Sequence, residues 1–196
     1  MIRNPIQEVS NKLQYRAIGI THGVYKPMND ENINKGSIVD KNETVLDTVV
    51  LGRAIPLMKK YIDLKKNHYW IVYPRNKNTS KLHLQIAGIW DPINLNSEGS
   101  DTHKDNEALL NLINLQDNFF SIRGKLIYVN SPKKELVVKI CSSNKNNKQS
   151  NNSFKISLKG EIPMDSLNSF VSIDALRKDN TLNLTSYEVV EGKSFE

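Results

Sequence analysis

A stretch near the start of the chain, Lys12 to Lys26 (KLQYRAIGITHGVYK), sets the strongest limit on its fold. It is long, rich in β-branched and aromatic residues, and interrupted at Gly19 and Gly23. A strand of that length with interior glycines is one that bends. Bent first strands of this kind open small closed barrels. A weaker copy, FFSIRGKLIYV, runs from Phe119 to Val129 and carries Gly124 in its interior. Two further pieces recur in the same order: VLGRAIP matches SLKGEIP, and YWIVYPRNKNTSKLHLQ matches FVSIDALRKDNTLNLTS. Matches that keep one order argue for tandem copies of one unit.

The intervening elements follow from periodicity and turn chemistry. After the long strand, PMNDENINKG (27–36) is a polar turn-forming loop. Short strands are expected at Ser37–Val39 and Glu43–Leu51. Ile55 to Leu64 changes to helical period: Ile55, Met58 and Ile62 form one stripe, with Leu57, Tyr61 and Leu64 beside it, and Pro56 sits where a first turn tolerates it. Strands return at His68–Arg75 and at Leu82–Trp90, where Leu82, Leu84, Ile86 and Trp90 share one face. The order strand, strand, strand, helix, strand, strand is that of the OB-fold, a five-stranded Greek-key barrel. In the second half, strands are expected at 119–129, 135–140, 153–162, 170–176 and 181–190, with PMDSLNS (163–169) in the place of the helix. The expected fold is thus mainly β, two tandem OB-like barrels with a helix between strands three and four of the first. The barrels should occupy 12–92 and 118–191, joined by an acidic connector at 93–117. Within that connector ALLNLINL (108–115) has the pattern of one or two helical turns.

Charge is unevenly spread along the chain. Net charge is +6 over residues 1–92, −4 over 93–117 and +4 over 118–196. Basic blocks raise the local concentration of a polyanion, although a lysine surface is also what ordinary solvation produces. No apolar run is long enough to span a membrane, and MIRNPIQEVS lacks the apolar core of a signal peptide. A cytoplasmic protein with no membrane partner is expected. The one cysteine, Cys141, permits no internal disulfide and no cysteine cluster.

The stretches LQYRAIGITHGVYKP (13–27), VVLGRAIPLMKKYIDL (49–64), HYWIVYPR (68–75) and LHLQIAGIWDP (82–92) resemble a conserved family of cyanobacterial proteins of unknown function, as does FFSIRGKLIYV. The resemblance implies a cyanobacterial origin. It implies no activity.

Catalytic signatures are missing from the sequence. No GxxxxGK[ST], HExxH or CxxC spacing occurs, and the four histidines, His22, His68, His83 and His103, are widely separated. A non-enzymatic protein without a cofactor is expected. OB-folds bind ligands across strands two and three, bounded by the loops joining strands one to two and four to five. In the first barrel those positions offer Tyr73, Arg75, Lys77 and Lys81, an aromatic beside cations, as single-stranded nucleic acid requires. Trp70 and Trp90 read as core. In the second barrel Lys133 and Lys134 lie in the one-to-two loop, Lys139, Lys155 and Lys159 on the outward face, and Arg177 and Lys178 in the four-to-five loop. That outward face has no aromatic, so this barrel should offer phosphate contacts without stacking. The expected partner is single-stranded nucleic acid, RNA before DNA. The rival expectation is a protein partner, contacted through Ile89, Val137 and the 108–115 segment.

Overall fold

The computed structural model describes residues 4–29, 31–77, 81–91, 108, 110–142 and 152–191. Most of the acidic connector and residues 143–151 lie outside the described residues, as does the side chain of Lys77. The chain packs as two compact units. One comprises Met1–Gln7, Gly19–Tyr73 and Leu84–Phe119, the other Glu8–Ile18, Pro74–His83 and Phe120–Glu196.

The first barrel is built from β1 (Arg16–Pro27), β2 (Lys35–Val39), β3 (Val45–Val50), β4 (Asn67–Lys77) and β5 (Lys81–Trp90), with α1 (Ile55–Tyr61) between β3 and β4. β1 pairs antiparallel with both β2 and β4. β3 pairs antiparallel with β2 and parallel with β5, and β5 neighbours β4. The ring closes in the order 1-2-3-5-4-1, as an OB-fold requires. Gly23 makes the closure possible: a Cβ there would lie 2.5 Å from the carbonyl oxygen of Val39 on β2. The carbonyl of Gly23 in turn accepts a 2.9 Å hydrogen bond from Trp70 Nε1, and Trp70 is wholly buried. Ile20, Ile38, Leu46, Leu84 and Ile86 fill the interior around it.

The helix is shorter than its periodicity predicts. Ile62 is already extended, and only Met58 of α1 is buried, while Leu57 and Tyr61 are exposed. Of the expected stripe only Met58 is fully buried, with Ile55 and Ile62 half-buried beside it. Leu110 and Leu115, in the described part of the 108–115 segment, are buried in this unit. No described helix is long and apolar enough to cross a membrane.

The second barrel uses β6 (Phe119–Asn130), β7 (Glu135–Ser142), β8 (Asn152–Lys159), β9 (Phe170–Lys178) and β10 (Thr181–Glu191). A single 3-10 turn, Met164–Ser166, replaces the helix. β7 pairs antiparallel with β6 and β8, β10 antiparallel with β9 and parallel with β8, and β6 neighbours β9. This is the same cycle as in the first barrel. Gly124 repeats the role of Gly23, since a Cβ there would meet the carbonyl of Lys139 on β7 at 2.3 Å. Phe120, Ile122, Leu126, Val138, Ile156 and Val171 fill the interior.

Candidate nucleic-acid interface

The register of β6, β7 and β8 determines which side chains share the outward face of the second barrel. Lys125 is opposite Lys139, and Lys139 is opposite Lys155. Three lysines therefore form one row across three strands. The next row begins differently from what alternation predicts. A bulge in β6 between Leu126 and Tyr128 shifts the register, so that Tyr128 lies opposite Val137 and Val129 opposite Leu136. The extra residue turns Tyr128 outward, 44% exposed, and sends Val129 into the core. The expectation of a face without an aromatic is corrected by this bulge. Ser157 completes that row, and Glu135 with Lys159 belongs to the following one. Rows along a strand are about 7 Å apart, so an aromatic surface lies one step from a line of ammonium groups.

The proposed cations divide by exposure. Lys133, Lys134, Lys155, Lys159 and Lys178 are exposed and Lys139 is half-buried. Lys134 pairs with Glu161 at 3.2 Å and Lys159 with Glu135 at 3.0 Å. Both are solvent-exposed pairs, worth little to stability. Among the described residues, Lys125, Lys139 and Lys155 have no ion-pair partner. Arg177 behaves otherwise. It is only 6% exposed, and its Nη1 donates to the carbonyl of Asp179 at 2.7 Å, so it braces the β9–β10 turn from inside.

Pro74–His83, which takes in the end of β4 and the start of β5, counts with the second unit. Arg75 lies over the ring of Phe154, 3.8 Å from its centroid, and donates to the carbonyl of Pro74. Asn76 Oδ1 accepts from the backbone amide of Ser157 at 2.8 Å. Lys81 is exposed at the start of β5. Tyr73 counts with the first unit, half-buried, its hydroxyl accepting from Arg53 Nη2 at 2.7 Å. The structure thus does not group Tyr73 with Arg75 in one unit. Trp70 and Trp90 are core, as expected.

Two further arginines make hydrogen bonds within the second unit, Arg123 buried and Arg16 half-buried. Arg16 Nη2 donates to Ser121 Oγ at 2.7 Å, while Arg123 donates to Ser172 Oγ and to the carbonyl of Lys12. Burial, followed by the nearby charge of Arg123, pulls Arg16 below the ordinary arginine range, and Asp174 opposes the shift. The planar fork of arginine suits it to fixed internal hydrogen bonds, whereas lysine is a mobile point charge. The second unit thus buries Arg123 and Arg177 and carries its lysines on the face. Sequence reading missed Lys125 and Tyr128. Lys125 had a signal, because alternation from the inward Leu126 points it outward. Tyr128 had none, since nothing in IYVNSP marks a bulge.

Two closed five-stranded barrels in Greek-key order define a tandem OB-fold protein. Residues 17–97 match the family model of the PatR RNA-binding protein, N-terminal OB-fold domain. Residues 122–191 match that of the cyanobacterial OB-fold-like RNA-binding domain, C-terminal. The chain belongs to this cyanobacterial family of two-OB-fold proteins. No curated protein matches it.

Proposed function

We propose that the protein binds single-stranded RNA on the outward face of its second barrel and performs no catalysis there. The observation that carries this reading is the row Lys125–Lys139–Lys155. Like charges placed directly opposite one another on a sheet destabilise it, and these three have no ion-pair partner among the described residues. A phosphate backbone lying along the row supplies the missing negative charge. The descriptions of both matched families name RNA binding, which supports RNA over DNA.

Fluorescence anisotropy with a labelled mixed-sequence single-stranded RNA at two salt concentrations tests the proposal. Binding should weaken as salt rises, with a log–log slope of about −0.7 per phosphate contacted. Replacing Lys125, Lys139 and Lys155 by glutamate should flatten the slope by about 2 and abolish binding at moderate salt. A triple variant that binds as tightly as the parent would refute the assignment of this face. Equal competition by unlabelled DNA of the same sequence would remove the preference for RNA.

A further inference from the structure

Beside the lysine row, the second barrel has a cleft of about 260 Å³, lined by Tyr128, Glu135, Val137, Lys159 and Asn180 among others. It is smaller than the ~300–1,000 Å³ of sites for drug-sized ligands, so it suits one small planar group. Its walls have two properties that a phosphate-binding groove alone does not need. First, Tyr128 is exposed yet held: Asn130 Nδ2 donates to its hydroxyl at 3.0 Å. A ring fixed in this way is a stacking surface that loses little freedom on binding. Second, a carboxylate stands in a basic groove. Glu135 gives Oε1 to Lys159, leaving Oε2 for another donor.

We infer that this cleft seats a single nucleobase of the bound strand, and that guanine is the base it fits. The inference rests on the RNA-binding reading above and adds a base preference to it. The base stacks on Tyr128. The Glu135 carboxylate accepts from donors on the base edge, and the Lys159 ammonium beside it can donate to a carbonyl. Guanine alone presents both an imino N1–H and an amino N2–H₂ beside a carbonyl O6. Uracil presents one imino donor, and cytosine and adenine one amino group each. A carboxylate repels phosphate but accepts from base donors, so Glu135 selects for a base edge in a groove that otherwise attracts phosphate.

The test uses the full chain and labelled twelve-residue uridine RNAs containing one central guanine, adenine or cytosine, or none. The guanine oligomer should bind about tenfold more tightly than the all-uridine one, in the range of a good base contact. Tyr128→Leu should lose about tenfold on the guanine oligomer, as expected for lost stacking, while Tyr128→Phe should keep most of the affinity. Glu135→Gln should narrow the gap between guanine and adenine. Because Tyr128 is exposed, neither Tyr128 variant should unfold the barrel, and circular dichroism checks this. If all four oligomers bind equally and Tyr128→Leu changes nothing, the base pocket is wrong and RNA binding stands. If the parent binds no oligomer at low salt, both readings fall.

Discussion

At the scale of single residues, each barrel brings its second strand close against a glycine in its first. A methyl group on Gly124 would lie 2.3 Å from the carbonyl oxygen of Lys139, which is backbone and cannot rotate away. Gly124→Ala should therefore destabilise the protein by about 1–3 kcal/mol, the range for forcing volume into a packed site. Gly52 has nothing within 4 Å of its absent Cβ, so Gly52→Ala is the control and should be close to neutral. Urea unfolding with an unchanged m-value separates the two. A second residue-level prediction concerns Tyr25, 1% exposed, whose hydroxyl donates to the carbonyl of Ile33 at 2.8 Å. Burial pushes its pKa up from 10.0 to about 12. The native state thus holds this proton more tightly than the unfolded chain. The associated stability is fully present below pH 10 and is lost as pH rises from 10 through 12. The loss over that window is about 2–3 kcal/mol. Lysines titrate in the same range, so the informative quantity is the difference between parent and Tyr25→Phe. The parent should fall more steeply above pH 10, and parallel curves would contradict the assignment.

At the scale of elements, the β9–β10 turn separates two neighbouring cations with opposite roles. Arg177 is buried and donates to the carbonyl of Asp179, whereas Lys178 is exposed one residue later. Arg177→Ala should cost about 1.5–3 kcal/mol of stability, as for a hydrogen bond from a charged donor. Lys178→Ala should leave the unfolding midpoint unchanged. Equal midpoints for the two variants would show that Arg177 does not brace the turn. The contrast also shows how far alternation along a strand can be read. All ten strands and the helix were legible from periodicity and turn residues, as was the outward placement of Lys139, Lys155 and Lys159. What remained hidden depends on tertiary geometry. The β6 bulge reverses Tyr128 and Val129 without a sequence mark, because a bulge is a matter of pairing between strands and not of local composition. Arg177 looked like a loop cation because its acceptor is a backbone carbonyl, which sequence does not display.

At the scale of the whole molecule, the repeat was visible in sequence, but the make-up of each compact unit was not. The second unit takes Glu8–Ile18 and Pro74–His83 in addition to the residues after Phe119. Those segments supply specific partners within it. Arg16 donates to Ser121, the carbonyl of Lys12 accepts from Arg123, Asn76 accepts from the amide of Ser157, and Arg75 covers Phe154. A chain of residues 118–196 alone would retain all five strands of the OB-fold and lose all four of these interactions. Two involve charged donors worth about 1.5–3 kcal/mol each, one is a neutral bond worth about 1 kcal/mol, and one is a cation–π contact worth about 0.5–2 kcal/mol. Even the lower bounds reach about 4 kcal/mol, against the ~5–15 kcal/mol that holds a domain together. The 118–196 fragment should therefore unfold at a clearly lower urea concentration than the same barrel within the full chain, or fail to fold cooperatively. Intrinsic tyrosine fluorescence reports the fragment, since both tryptophans, Trp70 and Trp90, lie outside it. Hydrogen exchange at the amides of β7 and β8 reports the same strands in the full chain. Equal opening free energies in fragment and full chain would mean that residues 8–18 and 74–83 add nothing to this barrel, and that its sequence repeat is its whole structural unit.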